Sequence, residues 1–226
     1  MLLAIDVGNT NMVFGLFEGE ELRGSFRIST NASSTSDEIG MMILQYYHFK
    51  GYRPEDATAV IIASVVPPVM YSLTNAIRKY FSLKPMIVGT DVPTGIVNHY
   101  ANPREVGVDR LVNAVSAIEK YGTPLIIVDI GTAITFDCID KDGAYLGGAI
   151  FPGIKIAMEA LFMKASKLPR VDIARTEKAI GRTTVQSMQS GAVRGYVGAL
   201  TGIILDMQKE LEGDARVVAT GGMGRM

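Results

Sequence analysis

The sequence is poor in the residues that hold disulfides and zinc. It has one cysteine and two histidines among 226 residues. With Cys138 alone, no internal disulfide can form, and its apolar neighbours mark it as a buried small side chain rather than a nucleophile. His48 and His99 belong to no Cys/His pattern with zinc spacing. His48 falls late in a helical stretch and reads as a surface residue. His99 lies beside a candidate pocket segment but shows no catalytic pattern of its own. A strong charge of either sign is also missing: 22 Lys and Arg stand against 23 Asp and Glu, for a net charge of −1. No global basic field would draw in nucleic acid or an anionic membrane. No apolar run approaches the ~20 residues of a spanning helix. The longest candidates, 57–70 and 125–134, are broken by prolines or a charge. The start, MLLAIDVGNT, lacks a basic segment, and Asp6 interrupts its apolar run, so it does not read as a signal peptide. The expectation is a soluble cytoplasmic protein.

What is present is globular. The chain is 48% hydrophobic and 20% charged, enough apolar material for a sizeable core in one large domain or two small ones. Periodicity predicts strands at 2–6, 12–17 and 22–29, a hairpin turn at Glu18-Gly19-Glu20, and a helix over 38–49. A buried strand at 59–65 ends at Pro67-Pro68, followed by a helix over 69–81, a short strand at 86–88, and a helix or loop-plus-helix over 104–121. A second cycle then begins. Strands are predicted at 125–129, 135–139 and 145–151, with a hairpin at Asp140-Lys141-Asp142-Gly143. Helices over 154–163 and within 184–211 precede a last strand at 216–220.

The two halves repeat one plan: strand, Asp-x-Gly turn, strand, hairpin, strand, helix. Asp6 matches Asp129 and Gly8 matches Gly131 at one common offset, far longer than the ~20–50 residues of a solenoid repeat. This points to a duplicated α/β domain, with lobes at 1–117 and 118–226 and the boundary in the helix around 113–121.

The turns carry the chemistry. A glycine after a buried strand lets backbone N–H groups approach a ligand, and small polar neighbours such as Asn9, Thr10 and Thr132 add donors, so such a turn can cradle phosphate. A carboxylate at the strand end can hold Mg²⁺ directly or through water. One such turn also serves as a plain hairpin whose Asp caps backbone N–H groups. Two turns opening two copies of one unit suggest a polyphosphate clamp. Gly221-Gly222 after the last strand reads either as a strand-to-helix turn or as a place where adenosine approaches the backbone. On the acceptor side, Gly107-Val108-Asp109-Arg110 sets a carboxylate beside a guanidinium. This can be a local ion pair at a helix start, or a base paired with an anion-binding fork. Tyr100, upstream, is a pocket wall or a packed ring. Met41, Met42, Met158 and Met163 are expected in the core. Gly191, Gly195, Gly198, Ala199 and Gly202 share a face of the last long helix and imply close packing, within the lobe or against a second subunit.

Taken in order, Asp6-Val7-Gly8-Asn9-Thr10, Gly107-Val108-Asp109-Arg110, Asp129-Ile130-Gly131-Thr132-Ala133, Gly147-Gly148-Ala149-Ile150-Phe151-Pro152-Gly153 and Thr220-Gly221-Gly222 resemble type III pantothenate kinase over nearly the whole chain. The resemblance implies the actin-like, acetate and sugar kinase (ribonuclease H-like) fold, with two lobes of mixed sheet flanked by helices. It implies that ATP phosphorylates pantothenate to 4′-phosphopantothenate, the first step of coenzyme A synthesis. It implies an ATP phosphate loop of Asp6, Val7, Gly8, Asn9, Thr10, Asn11, Met12 and Val13, with Mg²⁺ at Asp6, and an ATP contact at Thr132. It places pantothenate on Tyr100, Gly107, Val108, Asp109, Arg110 and Thr184, with Asp109 as general base. It puts a monovalent cation, potassium or ammonium, at Asp129, and it implies a homodimer with sites near the subunit interface. The resemblance implies a chain that continues past the Gly-Gly turn, whereas this sequence ends at Met226; the expectation is either that a final strand or helix near adenosine is missing or that the sequence is only the ordered part of the protein.

Three other readings compete. A non-catalytic regulator on the same fold should lack the acceptor carboxylate or the phosphate-loop residues, and this sequence keeps both. A superfamily polyphosphate or nucleotide phosphatase would use the paired turns, but Gly107–Arg110 argues against it. A two-metal nuclease would need Asp6, Asp129 and Asp137 to gather two ions ~3.5–4 Å apart, yet Asp6 and Asp129 belong to different lobes and no basic stripe accompanies them.

Overall fold

The computed structural model describes residues 1–211, 213 and 215–222. The chain forms two compact units. One comprises Met1–Gly95 and Arg104–Val112, the other Ile96–Pro103 and the chain from Asn113 onward.

The first unit is built on a five-stranded sheet. β1 (Leu2–Val7), β2 (Asn11–Glu18) and β3 (Glu21–Ser29) form an antiparallel meander, while β4 (Ala59–Ser64) and the short β5 (Met86–Ile87) run parallel to β1, in the order β3-β2-β1-β4-β5. Leu3, Ile5 and Val7 alternate into a core with α1 (Ser36–Phe49) and α2 (Pro67–Phe81), whose Ile39, Ile43, Tyr47, Val69, Leu73 and Ile77 are fully buried. Each such side chain contributes about 1.5–3 kcal/mol by leaving water. The same period of two turns Asp6 to the opposite face, where it is exposed. α1 begins with a capping box, in which Thr35 accepts from the Glu38 N–H and Glu38 accepts from the Thr35 N–H. α2 starts two residues earlier than the apolar pattern suggests. Pro67 and Pro68 occupy its first turn, where proline loses no intrahelical hydrogen bond. Gly40 of α1 lies directly against the Tyr80 ring of α2, too close for any side chain, which draws the two helices together.

The second unit repeats the plan. β6 (Leu125–Ile130), β7 (Ala133–Ile139) and β8 (Tyr145–Pro152) form the antiparallel meander, and β9 (Arg216–Thr220) runs parallel to β6, in the order β8-β7-β6-β9. This is the order β3-β2-β1-β4 of the first unit, strand for strand. Ile126, Val128, Ile134, Phe136 and Cys138 meet Tyr196, Leu200, Ile203, Ile204 and Met207 of the 27-residue helix α5 (Thr184–Glu210). α4 (Ile154–Lys164) follows β8 directly. α3 (Val108–Tyr121), preceded by a 3₁₀ turn at Pro103–Glu105, carries the chain from one unit into the other.

Two packing expectations need correction. Met41 and Met163 are 50% and 65% exposed, not core, because each sits on the outer side of its helix. The small residues of α5 do not pack within the chain: a Cβ added at Gly191, Gly195, Gly198 or Gly202 meets nothing within 4 Å among the described residues.

Candidate active site

The first unit holds the Asp6–Val13 loop and the Gly107–Arg110 segment together at one end of its sheet. β1 ends at Val7 and β2 begins at Asn11, leaving Gly8-Asn9-Thr10 as the turn. The Gly8 N–H donates to the Asn11 carbonyl at 3.0 Å, and Thr30 Oγ donates to the Gly8 carbonyl at 2.6 Å, so the backbone is braced from both sides. Asn9 and Thr10 remain exposed beside the exposed Asp6. Val65 continues this edge, its N–H donating to the Val7 carbonyl at 3.1 Å. Gly107 reaches the same edge, since a Cβ on it would lie 3.5 Å from Val65 Cγ1. The Gly107–Arg110 segment thus reaches the sheet end that carries the Gly8-Asn9-Thr10 turn.

Gly107 also starts α3. Its carbonyl accepts from the Arg110 N–H at 3.1 Å and the Leu111 N–H at 3.4 Å. Asp109 folds back onto this first turn, and its Oδ1 accepts from the Arg110 N–H at 2.8 Å. A Cβ on Gly107 would stand 2.5 Å from that oxygen, so only glycine leaves the carboxylate where it is. Asp109 and Arg110 are both half-buried.

The second unit holds the other turn. It is tighter by one residue, with Gly131-Thr132 between β6 and β7 and the Gly131 N–H donating to the Ala133 carbonyl at 3.0 Å. Gly153, at the start of α4, supports it from behind: its N–H donates to the Thr132 carbonyl at 3.1 Å, and a Cβ there would collide with that carbonyl. This close approach accounts for the end of the Gly147–Gly153 motif. Asp129 lies inside β6, which runs to Ile130, rather than at its end. Asn113 Nδ2 of α3 donates to Asp129 Oδ2 at 3.1 Å. Gly221 follows β9 with φ +94°, and a Cβ on it would sit 2.5 Å from Asp129 Oδ1 and 2.6 Å from the Ile130 carbonyl oxygen. A carboxylate and a carbonyl oxygen therefore converge on the small volume that Gly221 keeps clear. Oxygen donors of this kind suit a hard cation.

Three further features lie in this unit. Tyr100 stacks against Gly147, whose added Cβ would lie 3.5 Å from the tyrosine ring. Thr184 is exposed at the first position of α5, just after the Thr183 cap, which accepts from the Gln186 N–H. Gly222 lines a cavity of about 520 Å³ with Lys155, Met158, Glu159, Arg170, Val171, Asp172 and Ile173. Among the described residues, no three His, Cys, Asp or Glu side chains gather as a metal site. No described helix is long and apolar enough to cross a membrane. Sequence reasoning missed Asn113 and the polar partners of Asp137.

The chain's relatives agree with this architecture. The profile of type III pantothenate kinase matches residues 2–206. A type III pantothenate kinase of Myxococcus xanthus (strain DK1622) is 52% identical over 226 residues, covering 100% of this chain and 88% of that protein. One from Listeria welshimeri serovar 6b is 50% identical, covering 100% of this chain and 87% of its own. Among solved structures, a Campylobacter jejuni protein described as a Baf family transcriptional activator superposes with a TM-score of 0.60 at 21% identity, covering 97% of this chain and 83% of that one. Porphyromonas gingivalis acetate kinase superposes with a TM-score of 0.52 at 13% identity, covering 99% and 83%. The fold is that of the acetate and sugar kinases. The profile match and the relatives at 50% and 52% identity show that the chain belongs to the type III pantothenate kinase family.

Proposed function

We propose that this chain transfers the γ-phosphoryl group of ATP to the primary hydroxyl of pantothenate, with Asp109 as the base. The observation that carries the assignment is the Asp109 carboxylate fixed over Gly107, on a segment that reaches the sheet end bearing the Gly8-Asn9-Thr10 turn. Phosphoryl transfer needs positioning and charge neutralisation more than covalent help from the protein. Asp109 takes the hydroxyl proton as the oxygen attacks the γ-phosphorus. The new P–O bond forms, the bond to the β,γ-bridging oxygen breaks, and ADP leaves. Arg110 pairs with the pantothenate carboxylate. Tyr100, Gly107, Val108 and Thr184 complete the pantothenate site, and the exposed Thr184 is placed to reach a ligand outside its own helix.

The Asp6–Val13 loop and Thr132 hold the ATP phosphates, and Asp6 would hold Mg²⁺, directly or through water, which would offset phosphate charge. The exposed Asp6, Asn9 and Thr10 around a braced glycine turn fit that role. Asp129 takes potassium or ammonium, and the oxygens converging beside Gly221 support this. The cavity at Gly222 suits the adenosine. The open glycine face of α5 supports a homodimer. The near-neutral charge supports a cytoplasmic enzyme without nucleic-acid or membrane partners.

A coupled assay of ADP formation, run with and without pantothenate and with potassium, ammonium or neither, tests the whole proposal. Turnover should require pantothenate, and Asp109→Asn should abolish it while leaving the far-UV circular dichroism unchanged. Near-normal turnover in that variant would refute the base, and phosphate release without an acceptor would favour a phosphatase.

A further inference from the structure

Asp137 is fully buried in β7. Asp137 and Thr135 alternate with Ile134, Phe136 and Cys138, and so point away from the face that α5 covers. The Asp137 carboxylate is held by two hydroxyls: Tyr145 Oη donates to Oδ1 at 2.7 Å, and Thr135 Oγ donates to Oδ2 at 3.3 Å. Burying an acidic side chain without hydrogen-bond partners would be costly, and a hydroxyl bond is directional where apolar packing is not. The pair therefore fixes Tyr145 in a way that apolar packing would not.

Tyr145 in turn grips the segment before Tyr100. It is itself fully buried, at the start of β8. Its N–H donates to the Val97 carbonyl at 2.8 Å, and its carbonyl accepts from the His99 N–H at 2.8 Å, forming a parallel bridge across Asn98. Asn98 carries the grip one step on, because its Oδ1 accepts from the Tyr100 N–H at 2.9 Å. The Tyr100 and Tyr145 rings lie 6.4 Å apart. A bulge places this contact. Ile139 pairs with Tyr145 but Cys138 pairs with Gly147, so Leu146 is the extra residue that re-aims the strand. Gly147 then passes under the Tyr100 ring with φ +140°.

We propose that Asp137 is a positioning residue for the acceptor substrate: through Tyr145 it sets the position of Tyr100, and so the affinity for pantothenate rather than the chemical step. The inference rests on the reading of Tyr100 as a pantothenate contact. No atom of Asp137 needs to touch substrate for this role.

The test is steady-state kinetics on the full chain, varying pantothenate and ATP separately. Tyr145→Phe removes one oxygen and keeps the ring. Asp137→Ala removes the acceptor, and Asp137→Asn keeps an oxygen that can accept the Tyr145 hydroxyl. Loss of one buried hydrogen bond should raise the pantothenate KM about tenfold in Tyr145→Phe and Asp137→Ala. The ATP KM should not move, kcat should stay within about twofold, and Asp137→Asn should restore most of the loss. A parallel rise in both KM values, or a fall in kcat alone, would mark a general structural role and overturn the proposal. Tyr100→Ala, measured alongside, separates the two levels. If it leaves the pantothenate KM unchanged, both the Tyr100 assignment and this inference fall. If it raises that KM while folded Tyr145→Phe does not, only the inference falls. Tyr145→Phe carries the test alone if Asp137→Ala does not fold.

Discussion

A Cβ on Gly107 would stand 2.5 Å from Oδ1 of Asp109, the oxygen that accepts the Arg110 N–H. The carboxylate is therefore seated by a missing side chain as well as by a hydrogen bond. Gly107→Ala should leave the fold intact, since the group that must yield is the free end of a side chain rather than backbone. It should nevertheless displace the oxygen proposed to act as the base, and a small misplacement at a reacting group can cost about 100-fold in rate. We expect kcat to fall by one to two orders of magnitude, with the thermal midpoint nearly unchanged. Parent-like kcat in Gly107→Ala would mean that this seat is unimportant.

The Asp129 site should answer to two substitutions in different ways. Asn113→Ala removes one donor to Asp129 Oδ2, so the concentration of potassium or ammonium giving half-maximal activity should shift severalfold while the melting temperature stays close to the parent's. Gly221→Ala puts a side chain at φ +94° and into the space beside Asp129 Oδ1, where left-handed backbone alone costs about 1–3 kcal/mol. That variant should melt lower and lose its response to either cation. Titrating potassium against activity in both variants checks this. An unchanged response in Gly221→Ala would remove the cation from this position.

The parts of this site that the sequence makes legible are those written in local pattern. Leu2–Val7 and Leu125–Ile130 share a run of four apolar residues, an aspartate and one more apolar residue before a glycine, and that repeat exposes the duplication. What is hidden depends on tertiary meeting. Pro67 and Pro68 look like the end of β4 because proline stops a strand, yet they also suit a helix's first turn, and only the fold chooses. Asn113 has no motif; its meaning is its hydrogen bond to Asp129, sixteen residues on. Asp137 reads in sequence as one more acid, and its link to Tyr145 depends on the pairing of β7 with β8, which no spacing announces.

Tyr47 supplies a prediction about stability rather than catalysis. Its hydroxyl is buried in the first unit's core without a hydrogen-bond partner among the described residues. Burial first, and the charge of Asp56 second, push its pKa well above the ordinary value near 10. A raised pKa in the folded state means that the stability it contributes is whole below the unfolded value and is lost as pH rises through and beyond it. The folded protein should therefore weaken above about pH 10, where the unfolded chain ionises Tyr47 and the native state resists. Tyr47→Phe should abolish this part of the alkaline loss. At neutral pH it should stabilise the protein by about 1 kcal/mol, because an unsatisfied buried hydroxyl is removed with little change of shape. Thermal melts of both proteins from pH 7 to 11 decide the matter, and an identical alkaline slope would argue against it.

The open face of α5 gives the last prediction. Glycine in a helix interior is less favourable than alanine by about 1 kcal/mol, so a run of glycines with empty space around them would be a pure loss to an isolated chain. A Cβ added at Gly191, Gly195, Gly198 or Gly202 meets nothing within 4 Å among the described residues, and Val197 and Leu205 on the same helix are 60% and 51% exposed. If a second subunit packs there, the glycines let its backbone come close, and any side chain at these positions obstructs it. Gly198→Arg should then convert the protein to a monomer in sedimentation velocity while leaving its helical content unchanged. Gly198→Ala should weaken association even as it favours the helix within each chain. A parent protein that sediments as a monomer at micromolar concentration, or a Gly198→Arg variant that associates as tightly as the parent, would assign the glycines another purpose.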